Sequence, residues 1–293
     1  MPKELPRLRD LKGYFHECSM DQQGSKLIQE IYIRQLSGIS DEEKSLIFEE
    51  LFPHLPELIR HVFGNYIIQR LIEHGTREQR VRIAQSLRSH VLDLSMHTYG
   101  CRVIQNVLEH APLREKLELI EELRGNVLNC TKGKHSNHVI QKCIECVPSE
   151  HMLFVAEEIG EKAYDLSFQE YGCRVIQKII EYFAVSERKA NGFESKCANG
   201  LTASEQKSLM FSDIMQNIFK LAIDPYGNYV IQHLITNGSP DIREIVLQQI
   251  QPHMYELSTL KFSSNVIEKG LVHSSSEQLK YILEFLMPKS ADK

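Results

Sequence analysis

The chain has 293 residues, of which 42% are hydrophobic and 25% charged, with a formal net charge of −5. This balance is typical of a soluble protein with enough apolar side chains for an extended core. No apolar run reaches the roughly 18 residues of a membrane-spanning helix, and the opening MPKELPRLRDLKG has no apolar signal-peptide region. We therefore expect a cytoplasmic protein with no membrane contact. The negative charge disfavours a protein that binds nucleic acid by charge alone.

Seven cysteines are spread along the chain, and Cys143 and Cys146 form its only CxxC pair. An odd number without a secretion signal disfavours a disulfide framework. A tetrahedral zinc site needs two more ligands at matched spacing, and none follows nearby. Because both residues fall within an apolar helical pattern, the sequence predicts buried structural thiols. It predicts no metal site and no cofactor.

A short motif recurs seven times along the chain. The five-residue cores SKLIQ, NYIIQ, CRVIQ, NHVIQ, CRVIQ, NYVIQ and SNVIE begin, in order, at Ser25, Asn65, Cys101, Asn137, Cys173, Asn228 and Ser264. Four of the six steps between them are 36 residues long. The first step is 40 residues and the fifth is 55, which is 19 more than the period. Such a fixed period indicates a repeat architecture.

Each repeat is predicted to contain three helices. Each motif segment is apolar at helical spacing, as at Val103, Ile104, Val107 and Leu108. A second apolar-periodic stretch follows a turn, and a short third stretch precedes each motif. No single repeat can bury its apolar faces alone, so neighbouring repeats must stack. The expected fold is an all-α solenoid of about seven three-helix repeats of 36 residues.

The repeats are expected to form a single domain over residues 1–293. We place them at about 8–51, 52–87, 88–123, 124–159, 160–214, 215–250 and 251–287. The 19-residue excess lies near 184–206 in the fifth repeat, is polar, and is interpreted as a surface loop. Its end, Thr202-Ala-Ser-Glu205, resembles a capping box that restarts a helix. A final helix is predicted at 277–286.

The motif places polar residues in a regular row. Its first and fifth residues lie one helical turn apart on the same face, and the second residue reaches to one side. The fifth residue is Gln six times and Glu once, and the first is only Asn, Cys or Ser, whereas a solvated face would drift toward Lys and Glu. Most of the second residues can lie flat against a nucleobase. The sequence therefore predicts that each repeat offers two polar tips and one stacking side chain.

These positions make up the predicted site. The predicted base-edge residues are Ser25, Gln29, Asn65, Gln69, Cys101, Gln105, Asn137, Gln141, Cys173, Gln177, Asn228, Gln232, Ser264 and Glu268. The predicted base-stacking residues are Lys26, Tyr66, Arg102, His138, Arg174, Tyr229 and Asn265. Four of the seven residues that follow the fifth position are basic, namely Arg70, Lys142, Lys178 and Lys269. We therefore predict a basic stripe beside the row, with acidic residues elsewhere.

Taken in order, the seven motifs resemble the RNA-reading helices of the PUF (Pumilio-like) family, over about Leu8 to Met287. The resemblance implies a right-handed, crescent-shaped α-solenoid that binds single-stranded RNA with one base per repeat. It also implies action on mRNA 3′ untranslated regions, in post-transcriptional repression or mRNA decay. The implied partners are co-repressors or deadenylase machinery on the convex face.

The bases follow from hydrogen-bonding capacity combined with the family resemblance. A Gln amide complements uracil or adenine, Asn can donate to uracil O2, a small Cys or Ser leaves room for a purine, and Glu matches the two adjacent donors of guanine. The family binds RNA antiparallel, which implies the core 5′-GUAUAUA-3′, a UGUA-type element. The family pattern has eight repeats, and the one expected to read the preceding uracil is absent from this sequence.

Two other functions remain open at this point. One is a helical scaffold that binds proteins, and the other is the ribosome-assembly branch of PUF-like proteins, which binds nucleic acid more by charge than by base. An enzyme is not expected, since no catalytic constellation stands out. The histidines are scattered, and His54, His90 and His253 each precede a motif by 11 residues. We interpret these three as structural repeat positions.

Overall fold

The computed structural model describes residues 8–34, 41–189, 200–276 and 278–280, and its elements are α-helices and short 3-10 turns. The short first helices are α1 Phe15–Met20, α4 Leu55–Arg60, α7 Val91–Met96, α10 Val127–Lys132, α13 Ala163–Ser167, α16 Ile218–Ala222 and α19 Met254–Thr259. The motif helices are α2 Gln22–Arg34, α5 Gly64–His74, α8 Gly100–His110, α11 Ser136–Cys146, α14 Gly172–Lys189, α17 Gly227–Asn237 and α20 Ser263–His273. The third helices are α3 Asp41–Leu51, α6 Arg77–Ser86, α9 Leu113–Glu121, α12 Leu153–Ile159, α15 Ala203–Gln216 and α18 Pro240–Ile250. The three-helix repeat is thus confirmed.

The chain divides into two compact units, residues 1–126 with 133–147, and residues 127–132 with 148–293. In the first unit, the motif helices α2, α5, α8 and α11 pack side by side. In the second unit, α14, α17 and α20 do the same. The apolar residues within the second to seventh motifs, such as Ile67 and Ile68, are buried. Stacking of neighbouring repeats therefore supplies the core, as the solenoid prediction requires. None of the described helices has the length and apolar character to cross a membrane.

A small residue opens each motif helix from α5 to α20, because the first helix of the repeat passes very close to it. A Cβ atom on Gly100 would lie 2.8 Å from the carbonyl oxygen of Leu94. On Gly172 it would lie 2.4 Å from the carbonyl oxygen of Leu166. Serine stands at this place in the fourth and seventh repeats, as Ser136 and Ser263. This close approach fixes the position of the motif residues that follow.

Glutamates at the C-terminal ends of the third helices hold the first helices of the same repeats. The Glu122 carboxylate accepts hydrogen bonds from the backbone N–H groups of Ser89 and Val91 at 2.7 and 3.1 Å. Glu158 accepts one from the backbone N–H of Val127 at 3.0 Å. Carboxylates satisfy the unpaired N–H groups at a helix start and interact favourably with its dipole. These acidic residues therefore stabilise the repeat internally.

The fifth repeat carries the predicted insertion. Its motif helix has 18 residues, whereas the other complete motif helices after α2 have 11. The predicted capping box is confirmed, because Thr202 Oγ1 accepts from the Glu205 N–H at 3.2 Å and Glu205 Oε2 accepts from the Thr202 N–H at 2.8 Å. The part of the predicted loop at 190–199 lies outside the described residues. Of the predicted helix 277–286, only 278–280 are described, and they are helical.

Candidate nucleic-acid interface

A side-chain cap sets the start of most motif helices. His97 Nδ1 accepts hydrogen bonds from the backbone N–H groups of Tyr99 and Gly100, at 3.2 and 3.1 Å. His97 lies four residues before the first motif residue. At the same position in other repeats, Asp21, His61 and Asp224 accept equivalent hydrogen bonds from backbone N–H groups. These caps satisfy N–H groups that have no partner within the helix. They therefore position the first motif residue before any ligand binds.

The first motif residue is buried in six of the seven repeats, and only Ser264 is partly exposed. Asn137, for example, has 0% of its surface exposed. The Gln at the fifth position lies above it and is half-buried. Of the two polar tips predicted for each repeat, the fifth residue is thus the more exposed, and the assignment of both as base-edge residues stays a prediction. Close packing at the start of the motif helix buries the first motif residue. The side chain of the fifth residue therefore lies nearer the surface.

In the asparagine-type repeats, a chain of hydrogen bonds orients the glutamine. Asn137 Nδ2 donates to the carbonyl oxygens of Gly133 and Lys134 at 2.8 and 3.0 Å, and its Oδ1 accepts from Gln141 Nε2 at 2.8 Å. The same arrangement occurs at Asn65 with Gln69 and at Asn228 with Gln232. Two carbonyls fix the Asn amide, and the Asn oxygen in turn fixes the Gln amide.

This orientation determines what the asparagine-type repeats offer a ligand. Gln141 and Gln232 each keep Oε1 and the second Nε2 hydrogen available, since no hydrogen bond to that Oε1 is found among the described residues. Gln69 Nε2 also contacts the Asn65 carbonyl oxygen at 3.4 Å. Both Nδ2 hydrogens of Asn face backbone carbonyls. Contact of Asn with uracil O2, as expected from the sequence, requires one of these hydrogens to be shared or released.

In the cysteine-type repeats, the backbone holds the glutamine instead. Gln105 Nε2 donates to the carbonyl oxygen of Cys101 at 2.9 Å, and Gln177 Nε2 donates to that of Cys173 at 3.0 Å. Each thiol contacts a carbonyl oxygen of the preceding turn at 3.4 Å. Burial raises the pKa of both thiols, so they are neutral at physiological pH. These repeats therefore lack the second amide that lies beneath Gln in the asparagine type.

The serine-type repeats differ in their fifth residue. Gln29 Nε2 donates to Ser25 Oγ at 3.1 Å, and that hydroxyl donates to the carbonyl oxygen of Phe63 in the next repeat at 3.1 Å. In the last repeat, Ser264 Oγ donates to the Lys261 carbonyl oxygen at 3.3 Å. The Glu268 carboxylate is exposed and has no hydrogen-bond partner among the described residues. It presents two acceptors where the other repeats present an amide.

All seven predicted stacking side chains are exposed, as Lys26, Tyr66, Arg102, His138, Arg174, Tyr229 and Asn265. The Arg174 guanidinium carbon lies 4.8 Å from the centroid of the Tyr229 ring on the next motif helix. The pKa of His138 is lowered, first by desolvation and then by the charges of Arg102 and His135. A neutral imidazole at this position keeps a flat face suited to stacking.

Three of the residues that follow the fifth position, namely Arg70, Lys142 and Lys178, form ion pairs with glutamates three residues further along. Lys142 Nζ lies 3.3 Å from Glu109 on the preceding motif helix and 3.2 Å from Glu145 on its own. Arg70 pairs with Glu73, and Glu181 pairs with both Lys178 and His233. We call these ion pairs of Arg70, Lys142, Lys178 and His233 with glutamates the charge ladder. The predicted basic stripe was therefore wrong at Arg70, Lys142 and Lys178, because carboxylates neutralise these cations.

Comparison with known proteins places this geometry in a family. Seven segments match the family described as Pumilio-family RNA binding repeat, at 14–32, 54–87, 90–124, 126–159, 162–190, 217–251 and 253–287. The chain belongs to the Pumilio (PUF) family of RNA-binding repeat proteins. The resemblance seen in the seven motifs is confirmed, and so is the α-solenoid fold. The single-domain assignment and the repeat boundaries inferred from the sequence stay predictions.

Among curated relatives, putative pumilio homolog 8, chloroplastic, of Arabidopsis thaliana is 30% identical over 284 residues, which is 97% of this chain and 52% of the relative. Putative pumilio homolog 7, chloroplastic, of the same plant is 29% identical over 282 residues, 96% of this chain and 40% of the relative. This chain thus spans about half the length of these relatives.

Two solved PUF structures have a similar fold. The Puf3 RNA binding domain bound to Cox17 RNA 3′ UTR recognition sequence site A has a TM-score of 0.83 at 33% identity, covering 97% of this chain and 78% of Puf3. PUF-8 in complex with PBE-RNA has a TM-score of 0.80 at 28% identity, covering 97% and 76%. Both are RNA-binding repeat domains, and neither the family nor these folds are those of known enzymes.

Sequence reasoning missed the caps before the motif helices. A polar residue with an acceptor atom stands four positions before the motif at Asp21, His61, His97 and Asp224. That recurrence was visible in the sequence and indicates a capping position. The charge ladder was also visible in part, since Glu follows the Gln four residues later in four successive repeats, at Glu73, Glu109, Glu145 and Glu181.

Proposed function

We propose that this chain binds single-stranded RNA along its motif helices, with one base per repeat. The observation that carries the proposal is the oriented glutamine amide beside an exposed side chain, repeated from the first repeat to the sixth. In the seventh repeat, Glu268 stands in place of the amide. A preorganised polar edge next to a stacking surface is what recognition of an unpaired base requires.

The amide orientation supports base reading at the asparagine-type repeats. The available Oε1 of Gln141 can accept the uracil N3–H, while its second Nε2 hydrogen can donate to uracil O4. The same two groups also complement adenine N6–H and N1, so the residue below the amide makes the choice. Asn137 reads uracil if it shares an Nδ2 hydrogen with O2. A buried Cys, which has no such donor, leaves space for the larger adenine.

The seventh repeat sets the 5′ end of the proposed target. Glu268 offers two acceptors, which match the adjacent N1–H and N2–H₂ donors of guanine. With the N-terminal repeat on the 3′ base, as the family resemblance implies, the proposed core is 5′-GUAUAUA-3′. A 3′ untranslated region as the natural target is part of the proposal, and the similar Puf3 domain was solved with a 3′ UTR sequence.

The cellular role proposed here is post-transcriptional repression or mRNA decay, with co-repressor or deadenylase proteins as partners. A cytoplasmic location belongs to the same proposal, although two similar Arabidopsis proteins carry the word chloroplastic in their names. Recruitment of those partners has its own test, namely whether tethering the chain to a reporter mRNA shortens the half-life of that mRNA.

A fluorescence-anisotropy titration tests the RNA proposal directly. The chain is titrated with UGUAUAUA and with UCUAUAUA at one fixed salt concentration. We expect tight binding to the first RNA and a loss of at least about tenfold with the second, because a cytosine amino group cannot replace the two guanine donors. Equal binding to both would show that the chain binds by charge. Weak binding to both would favour the protein-binding scaffold.

A further inference from the structure

Two imidazoles and a carboxylate meet on the first helices of the first unit. His16 on α1 stacks on His54, which directly precedes α4, with ring centroids 4.0 Å apart and planes inclined by 25°. Glu57 Oε2 lies 3.0 Å from His16 Nε2. One ligand atom from each of the three residues lies within 4.8 Å of the other two. None of these residues belongs to a motif helix.

The two sides of this cluster are held firmly. The Glu50 carboxylate accepts from the backbone N–H groups of Gly13 and Phe15, each at 2.7 Å, and so anchors the start of α1. Phe15, next to His16, is fully buried. His54 sits at the end of a 3-10 turn that leads directly into α4. Side chains presented from anchored helices keep their relative positions, which favours a preorganised site.

We propose that His16, His54 and Glu57 bind a zinc ion that links the first repeat to the second. Zinc is bound by histidine nitrogen and carboxylate oxygen at about 2.0–2.2 Å, in tetrahedral geometry. Neighbouring ligand atoms then lie about 3.4 Å apart. His16 Nε2 and Glu57 Oε2 are 3.0 Å apart, near that separation, and the widest pair lies within 4.8 Å, so that side-chain rotation has to close it by at most about 1.4 Å. Solvent occupies the fourth position.

The ligand set selects the kind of ion. Two imidazoles with one carboxylate suit zinc and similar transition metals, whereas magnesium and calcium prefer oxygen ligands. His16 and His54 are 38 residues apart and come from different repeats. For that reason, no metal-binding spacing is visible in the sequence, which predicted no metal site.

The chain contains a matched arrangement that lacks one ligand. Phe219, on the first helix of the sixth repeat, packs against His253 of the seventh with ring centroids 4.6 Å apart. His253 Nδ1 lies 3.7 Å from Glu256 Oε2. These three residues occupy the same repeat positions as His16, His54 and Glu57. A phenylalanine is sufficient for packing at this place, so the histidine in the first repeat adds a third ligand to an otherwise structural contact.

Zinc titration of the chelator-treated full chain tests the proposal. The readouts are calorimetric stoichiometry and the thermal unfolding midpoint. We expect one zinc ion per chain and a rise in the midpoint, because a ligand that binds only the native state stabilises it. His16→Phe, which copies the sixth repeat, should lose this binding and the rise in midpoint. His253→Phe at the matched arrangement should keep both.

The cysteines require their own control. The pair Cys143→Ser and Cys146→Ser removes the CxxC motif and should leave zinc binding unchanged. If His16→Phe fails to fold, Glu57→Gln decides the matter, since this side chain is 55% exposed and its loss should weaken zinc affinity at least tenfold. Unchanged zinc binding in His16→Phe or Glu57→Gln would overturn the proposal, as would the absence of binding in the unmodified chain.

Discussion

The guanidinium of Arg174 lies over the ring of Tyr229, 4.8 Å from its centroid, on the adjacent motif helix. The two are the proposed stacking residues of the fifth and sixth repeats, so they are in contact where a base would stack between them. A cation over an exposed aromatic ring contributes about 0.5–1 kcal/mol. A stacked base contributes about 1–3 kcal/mol. RNA binding is therefore expected to separate Arg174 from Tyr229 and to replace their contact with a stronger one, between a base and these side chains.

Replacing Tyr229 tests that expectation. Tyr229→Ala should weaken binding of UGUAUAUA by about 5- to 150-fold, which corresponds to the loss of one stacked base. Tyr229→Phe keeps the ring and should bind nearly as well as the unmodified chain. Tyr255, which is 70% exposed on a first helix, supplies the control Tyr255→Ala. Anisotropy titrations measure all three, and equal losses for Tyr229→Ala and Tyr255→Ala would contradict the proposed stacking role.

The fifth residue of the last repeat should set the base at the 5′ end. Glu268→Gln exchanges two acceptors for one acceptor and one donor, which fits adenine instead of guanine. We expect the unmodified chain to prefer GUAUAUA and the variant to prefer AUAUAUA, each by about 1–3 kcal/mol in binding free energy. Competition between the two RNAs on the same protein measures the reversal. A variant that retained its preference for GUAUAUA would show that the proposed alignment of repeats and bases is wrong.

The repeat architecture was predictable because the same helix packing recurs in each repeat and therefore requires the same apolar pattern in the sequence. A motif every 36 residues from Asn65 to Cys173 locates the motif helices, and Thr202 with Glu205 locates the restart of the fifth repeat's third helix. Burial of Asn137 was not predictable in the same way. Helical spacing places Asn137 and Gln141 on one face, but the depth of each depends on how closely the preceding helix approaches.

Contacts between repeats were the least predictable part of the site. Lys142 and Glu109 are 33 residues apart and meet only because α8 and α11 pack side by side. The sequence shows a cation after the glutamine, whereas the structure shows that cation neutralised. The His16–His54 contact arises in the same way from two successive repeats.

Removing carboxylates from the charge ladder should strengthen RNA binding. The double variant Glu109→Gln and Glu145→Gln leaves Lys142 without its two ion-pair partners. We expect tighter binding at low salt and a dependence of log K on log salt that steepens by about 0.7 for one added phosphate contact. Glu121→Gln is the control, since Glu121 pairs with Arg124 away from the motif helices. If the slope of log K against log salt were unchanged in the double variant, Lys142 would not contact the RNA.

Replacing Gly100, the glycine that opens α8, should lower the free energy of unfolding. A Cβ on Gly100 would lie 2.8 Å from the Leu94 carbonyl oxygen, so Gly100→Ala must push the two helices apart. We expect a loss of about 1–3 kcal/mol in the free energy of unfolding, as for other overpacked sites. Ser263→Ala is the comparison, because the seventh repeat already accommodates a Cβ there, and only the hydrogen bond from Ser263 Oγ to the Leu257 carbonyl oxygen at 2.8 Å, worth about 1 kcal/mol, is at stake. Urea denaturation of both variants measures the difference, and equal losses would argue against steric exclusion.

The cap of α8 should weaken in mild acid. Burial lowers the pKa of His97, and the charge of Arg60 lowers it further while Asp93 opposes this. The neutral ring accepts two backbone N–H groups through Nδ1, and protonation there removes both bonds. Because the folded-state pKa lies below the unfolded value of about 6.5, the stabilisation is complete above that pH. It is lost as the pH falls through the folded-state pKa.

Amide hydrogen exchange over the start of α8 can resolve this loss. Protection factors at Tyr99 and Gly100 should fall between about pH 7.5 and about pH 5, a range that spans the histidine titration. His97→Asp installs the residue that caps the equivalent helices at Asp21 and Asp224, and its carboxylate stays ionised across that range. The variant should therefore keep its protection at both pH values. If protection in the variant fell as much as in the unmodified chain, the acid sensitivity would come from another group, and His97 would serve only in packing.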